Sequence, residues 1–255
     1  MAEPTYKPGL EITTAIGCPN GCVYCPQDKL IAAYGDQTKM MSFDTFCVCL
    51  DNCPTEVGIF FSGFCEPFLN PQCVDMILEA DKRGHEVTVN TVLSHINQHA
   101  IDAIKHIPFV HFHVHLPDDK MRVKADSQYF DKVKSVIHAG IVNLDFRYHS
   151  KIDPVLPDIV HVVSEKPVCT RAGNIGHSEK RECLLQCCRD WGRHVLLPDG
   201  RVVLCCMDYG LKHVIGNLLD CRFEELQGDE YNRIIEAMAD PESDILCRYC
   251  ENQNV

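Results

Sequence analysis

Cys18, Cys22 and Cys25, in the run Cys-Pro-Asn-Gly-Cys-Val-Tyr-Cys, place three thiols within eight consecutive residues near the start of the chain. As thiolates they suit zinc or an iron–sulfur cluster. A four-iron cube takes one cysteine per iron and is ordinarily held by four, so a triplet leaves one iron open to another ligand. Zinc would want a fourth Cys or His close by, and none follows within the next 20 residues. A second group lies far along the chain, at Cys187-Cys188, Cys205-Cys206 and Cys247-x2-Cys250. The apolar runs His194–Leu197 and Arg201–Cys206 flank Pro198-Asp199-Gly200 and read as a β-hairpin. Cysteines at the two ends of that hairpin can meet the terminal pair across a small fold. Zinc and an iron–sulfur cluster both fit this spacing.

Composition places these thiols in a reducing compartment. The chain has 17 cysteines in 255 residues, an odd number in a chain too long for a small disulfide scaffold. The opening residues lack the apolar core of a secretory signal, and no run of about 18 apolar residues could span a bilayer. A cytoplasmic location is therefore expected. With 36 acidic against 24 basic residues, the net charge of -12 argues against nucleic-acid or anionic-membrane partners. A change of pattern near residue 180 divides the chain into units 1–180 and 181–255.

The elements that must position the first triplet follow from periodicity. Strands are expected at Leu10–Thr14, Val57–Ser62, Glu86–Thr91, Phe109–Leu116, Val142–Tyr148 and Lys166–Thr170. Helices fall between most of them, at Phe43–Asn52, Gln72–Lys82, Asn97–His106 and Tyr129–His138. That alternation implies βαβ units and a parallel sheet, an α/β fold whose six units suit a partial (β/α)6 barrel. Within the strands, His111, His113 and His115 alternate with Phe112, Val114 and Leu116. Asn143, Asp145, Arg147 and His149 alternate with Leu144, Phe146 and Tyr148, and Thr88 and Asn90 with Val87 and Val89. One face is thus apolar and the other polar, as a barrel needs if its lumen holds a polar ligand. The segment Cys47, Cys49 and Cys53 lies on an amphipathic helix, where buried thiols are the expected reading.

The C-x3-C-x2-C spacing resembles the signature of the radical S-adenosylmethionine (SAM) superfamily, and further segments extend the likeness. Ser62-Gly63-Phe64-Cys65-Glu66-Pro67 follows the second strand where the family carries a "GGEP" segment, with Cys65 in place of the second glycine. Thr170-Arg171-Ala172-Gly173-Asn174 is similar to the family's "S/T-R-A-G-N" segment. The C-terminal unit resembles the twitch form of the SPASM extension. Its pattern of a Cys, a Gly, a further Cys and a late Cys-x2-Cys is met by Cys187, Gly200, Cys205, Cys247 and Cys250. Trp191 and Gly216-Asn217 stand at the accompanying aromatic and Gly-Asn positions. Cys188 and Cys206 keep the same separation one residue along and leave an alternative register open.

The resemblance implies two 4Fe-4S clusters. The first, on Cys18, Cys22 and Cys25, would chelate SAM through its open iron. The second, an auxiliary one, would lie on Cys187, Cys205, Cys247 and Cys250 in a small hairpin-plus-helix domain. It implies SAM contacts from Ser62, Gly63, Glu66, Pro67, Asn90, His113, His115, Thr170 and Arg171. Arg171, Asp145 and Arg147 become the candidates for substrate binding or deprotonation. In size and layout the chain is similar to family members that dehydrogenate an alcohol carbon of a cyclitol. The expected partners are a hydroxylated or charged small molecule, or else a peptide, and a one-electron reductant such as flavodoxin or ferredoxin.

Overall fold

The computed structural model describes residues 7–160, 163–165, 168–187, 192–251 and 253–254. Six parallel strands form the body of the sheet: β1 (Gly9–Ile12), β2 (Gly58–Phe61), β3 (Val87–Thr91), β4 (His111–His115), β5 (Leu144–Tyr148) and β6 (Val163–Glu165). They pair in chain order, each with the next. The helices between them are α1 (Gln27–Tyr34), α2 (Phe43–Asp51), α3 (Cys73–Lys82), α4 (Gln98–Ile104), α5 (Ser127–His138) and the short α6 (Leu156–Ile159). This is the partial barrel the alternation implied.

Local chemistry accounts for the helix starts. Ser42 Oγ accepts from Thr45 N at 3.0 Å, Asn97 Oδ1 from Ala100 N at 2.9 Å and Asp126 Oδ1 from Tyr129 N at 2.9 Å, each satisfying an orphan donor of a first turn. Cys73, Met76, Ile77 and Ala80 of α3 follow the helical period and are buried. They pack with Ile12, Ile59, Phe61, Val89, Phe112 and Val114 in one core between sheet and helices. Cys49 of α2 and Cys53, just beyond its end, are buried in the same core, and burial pushes both thiols up to about 12. They are protonated side chains of the core.

Two features differ from the sequence reading. The sixth strand lies at Val163–Glu165 rather than Lys166–Thr170. Pro167 brings no N–H to a ladder, and 168–170 run as a loop toward Arg171 and Ala172, both at φ 54; Lys166 and Pro167 are outside the described residues. The hairpin, β8 (Arg193–Leu196) and β9 (Arg201–Val203), gains a third strand, β10 (Val214–Asn217), and joins the main sheet. β8 pairs parallel to β1, with Gly9 opposite Arg193 and Ile12 opposite Leu196. The sheet therefore has nine strands in the order β10-β9-β8-β1-β2-β3-β4-β5-β6. β7 (Gln186–Cys187) pairs antiparallel with β11 (Gln253–Asn254), and α7 (Asp229–Ala237) precedes the terminal cysteine pair. No described helix is long and apolar enough to cross a membrane.

Candidate active site

Cys18, Cys22 and Cys25 lie on the loop that leaves the C-terminal end of β1, and all three face one cavity of about 560 Å³. The loop is tied down on both sides. Val23 N donates to Lys120 O at 2.9 Å and Arg122 N to Asn20 O at 2.9 Å. Gln27 Nε2 lies 3.3 Å from Cys25 Sγ and 2.6 Å from Phe64 O. Tyr209 Oη stands 3.5 Å from Cys25 Sγ. Burial raises the Cys18 thiol, and burial with the nearby Cys25 and Cys18 pushes Cys22 up to about 12. Thiols this close repel one another as thiolates, and a bound cation reverses that preference. The donor set therefore fits a metal centre. Among the described residues no three His, Cys, Asp or Glu side chains converge on a single ion position. A cluster with one thiolate per iron makes no such demand.

The segment after β2 closes the same wall. A Cβ on Gly63, which sits at φ 46, would lie 2.4 Å from Thr13 Oγ1 and 2.8 Å from Ile12 O, so only glycine lets this segment reach β1. Phe64 N donates to Thr13 Oγ1 at 3.1 Å. Glu66 is 3% exposed and accepts from Thr91 Oγ1 at 2.6 Å and Val92 N at 2.7 Å. Burial holds its carboxyl above the ordinary range. Cys65 lines the cavity, with its Sγ 3.4 Å from both Thr14 Oγ1 and Ala15 N.

The polar strand faces meet in the lumen as the alternation required. Register sets Asn90 opposite His113, His113 opposite Asp145 and His115 opposite Arg147. His113 Nδ1 is 2.7 Å from Asp145 Oδ1, and Arg147 Nη2 donates to Asp145 Oδ2 at 3.0 Å. His111 stacks on His113 at 4.8 Å, and His115 meets His149 edge-on at 4.5 Å. Burial lowers His113 despite Asp145, and burial, with His149 and the arginines beyond it, lowers His115 to about 3. Both imidazoles are neutral at pH 7. Arg171 also lines the cavity. Burial works against its charge, yet Tyr209, Cys206, Cys169 and Cys25 around it hold it above its ordinary value.

Of the residues singled out from sequence, the three cysteines, Ser62, Gly63, Glu66, Asn90, His113, His115, Arg147 and Arg171 line this cavity. Three stand behind the lining. Asp145 backs His113, Pro67 is buried with its carbonyl accepting from Thr14 Oγ1 at 2.8 Å, and Thr170 Oγ1 accepts from Gly173 N at 3.1 Å. Glu11, Tyr24, Phe60 and Tyr209 also line it and were missed. Tyr24 sits inside the cysteine motif itself, and Glu11 and Phe60 hold inward positions of β1 and β2; Tyr209 carries no signal in the sequence.

The second cysteine group gathers at the C-terminal end. The pairing of β7 with β11 sets Cys187 opposite Gln253, and Cys187 lies within electrostatic reach of Cys247. Burial raises Cys205, with Cys206, Cys247 and Cys250 adding to it. Burial likewise raises Cys247, with Cys250 and Cys187 adding to it. Cys206 instead lines the first cavity, and Cys188 and Trp191 lie outside the described residues. Residues 187–251 match the model of the SPASM iron–sulfur cluster-binding domain. This part of the chain is similar to that domain.

The whole chain also resembles solved structures. A structure of BtrN in complex with AdoMet and 2-DOIA aligns at TM-score 0.69 and 14% identity, covering 98% of this chain and 95% of that one. Streptococcus suis SuiB bound to precursor peptide SuiA aligns at 0.63 and 13%, covering 97% and 71%. Native anSMEcpe with bound AdoMet aligns at 0.60 and 14%, covering 96% and 90%. At such identities the likeness is one of fold, and it extends over the barrel and the SPASM domain alike. A comparison with the curated proteins finds no match.

Proposed function

We propose that the chain is a radical SAM enzyme that oxidises an alcohol carbon of a small hydroxylated molecule by two electrons. The observation that carries this reading is the shared cavity. A three-thiol loop opens onto a lumen lined by imidazoles, an amide and guanidinium groups, so a centre on Cys18, Cys22 and Cys25 would face whatever the lumen holds. With SAM bound, such a 4Fe-4S centre supplies one electron and a hydrogen-abstracting radical. Residues 1–180 form the catalytic unit in this reading, and 181–255 the auxiliary unit. In the latter, Cys187, Cys205, Cys247 and Cys250 would hold a second 4Fe-4S centre, which would supply a one-electron acceptor.

The chain's own residues divide the remaining work. Arg171 and Arg147 cannot serve as bases at ordinary pH; they orient substrate and offset negative charge. Asp145 spends its oxygens on His113 and Arg147, which makes it a positioning residue. His113, neutral and aligned through Nδ1, keeps Nε2 to accept the hydroxyl proton. Ser62, Gly63, Glu66 and Asn90 form the SAM wall, with Pro67 and Thr170 shaping it from behind. The enzyme would work in the cytoplasm, with flavodoxin or ferredoxin as reductant.

Peptide modification is the second reading, favoured by the fold shared with SuiB bound to peptide SuiA and with anSMEcpe bound to the Cp18Cys peptide. One experiment separates the readings. Anaerobically reconstituted protein is given SAM and dithionite, first alone and then with 2-DOIA deuterated at the carbinol carbons. Radical SAM chemistry requires 5'-deoxyadenosine in at least one arm. Alcohol oxidation requires deuterium in that nucleoside and a ketone two mass units lighter in protium. Absence of 5'-deoxyadenosine in every arm would sink the radical SAM assignment.

A further inference from the structure

Two segments that flank the SPASM cysteines also build a wall of the active-site cavity. The turn 205–209 starts at Cys205 and ends at Tyr209, whose hydroxyl contacts Cys25 Sγ at 3.5 Å. The loop 170–174 presents Arg171. Arg171 and Ala172 both have φ 54, a left-handed backbone disfavoured for any residue but glycine. Consecutive residues in that region persist only where the surroundings hold them.

The holders are identifiable. Glu251, the residue after Cys250, accepts from Thr170 N, and from Ala172 N at 3.4 Å. The two amides bracket Arg171. Asn174 Nδ2 donates to Arg171 O at 2.7 Å and to Met207 O at 2.8 Å, which ties the loop to the turn that carries Cys205. The conformation of Arg171 is thus held by Glu251, next to Cys250, and through Asn174 by Met207, two residues after Cys205. Its guanidinium in turn lies within electrostatic reach of Cys25.

We propose that Glu251 is a positioning residue that makes the Cys18/Cys22/Cys25 site depend on occupancy of the SPASM cysteines. A centre bound at Cys247 and Cys250 fixes the terminal turn, and with it the carboxylate that pins Arg171. An empty SPASM site lets Glu251 move, and Arg171 relaxes out of its strained backbone and away from the cavity. The inference rests on reading both cysteine groups as cluster sites. A cation beside Cys25 favours the more negative, reduced state of a centre there, so its withdrawal lowers that centre's potential. It also removes one wall contact for SAM.

The test needs no substrate. Full-length reconstituted wild type is compared with Glu251→Ala, Glu251→Asp, Arg171→Ala, the Cys247→Ala/Cys250→Ala pair and the Glu251→Ala/Arg171→Ala double variant. SAM affinity is read by equilibrium dialysis, and the potential of the N-terminal centre by EPR-monitored titration, with iron content confirming that this centre assembles. Glu251→Ala and the paired cysteine variant should each weaken SAM binding at least fivefold and shift the potential downward. Neither effect should add to that of Arg171→Ala, since coupled residues fail additivity, and Glu251→Asp should recover most of both. SAM affinity within twofold of wild type in Glu251→Ala, or full additivity with Arg171→Ala, would overturn the coupling. Wild type that binds no SAM would overturn the functional reading as well, and it is distinguishable because it fails before any variant is made.

Discussion

Arg248 stands between Cys247 and Cys250 and is 0% exposed, so its replacement tests how the SPASM site is built. Its guanidinium donates to Cys183 O at 2.6 Å, Met238 O at 2.7 Å, Asp240 O at 2.5 Å and Arg181 O at 3.0 Å. Nε reaches Ser243 Oγ at 3.1 Å. The Met238 and Asp240 carbonyls lie at the C-terminal end of α7, where helix carbonyls have no partner within the helix. Arg248→Met keeps the stem's bulk and withdraws every donor. A carbonyl left buried without its donor costs about 1–3 kcal/mol, and several lose their donor here, offset in part by removal of a buried charge that is itself costly to desolvate. We expect a loss of about 4 kcal/mol, a large share of the roughly 5–15 kcal/mol that domains possess. With an m-value of about 3 kcal/mol/M in urea, that is a midpoint lower by about 1.3 M. The assay is urea unfolding of metal-free protein, followed by circular dichroism, so that cluster loading does not enter the comparison. Arg248→Lys should recover only part, because an ammonium cannot reproduce the planar fork. A midpoint shift under about 0.3 M for Arg248→Met, equivalent to less than about 1 kcal/mol, would refute the clamp.

Replacing Cys18, Cys22 or Cys25 with Ala should abolish 5'-deoxyadenosine formation under dithionite and remove about half the iron, which colorimetric iron analysis checks. Cys205→Ala should erase the auxiliary centre's EPR signal while Cys206→Ala keeps it; the reverse would shift the ligand register by one residue. His115 titrates at about 3 in the folded protein against about 6.5 unfolded. Between those values the unfolded chain binds the extra proton, so stability falls as pH drops, by up to about 1.4 kcal/mol per pH unit from this one group. His115→Phe should therefore flatten the dependence of the urea midpoint between pH 6 and pH 4, and an unchanged slope would count against a neutral buried imidazole.

The barrel was legible because its strands alternate so cleanly. Phe112 and Val114 face the helices and the histidines between them face the lumen, which period two alone dictates. The cysteine triplet was legible because metal ligation fixes residue type and spacing together. What stayed hidden depends on long-range packing. Tyr209 reaches Cys25 across 184 residues, and an isolated tyrosine in a turn carries no periodic signature. The sixth strand slipped because Val168, Cys169 and Thr170 have strand-like side chains, yet the Glu251 carboxylate binds the Thr170 and Ala172 amides and holds that stretch as a loop. Asp145, expected from its inward position beside Arg147 to bind or deprotonate substrate, holds His113 and Arg147 with one oxygen each, a pairing set by the register of β4 and β5.

The continuity of the sheet brings Cys206 and Tyr209, chain neighbours of Cys205, to the cavity that holds the first cysteine group. β8 lies beside β1 in parallel register and β9 pairs antiparallel with β8, so the loop after β1 and the turn after β9 leave strands of one sheet with a single strand between them. The first carries Cys18, Cys22 and Cys25, and the second carries Cys205, Cys206 and Tyr209. Within that turn, adjacent side chains divide between the two sites: Cys205 lies within electrostatic reach of Cys247 and Cys250, while Cys206 lines the cavity with Cys25. A hairpin packed as a separate layer would need a linker to bring the sites together. A hairpin hydrogen-bonded to the first barrel strand fixes their separation through backbone ladders, the stiffest connection the fold offers.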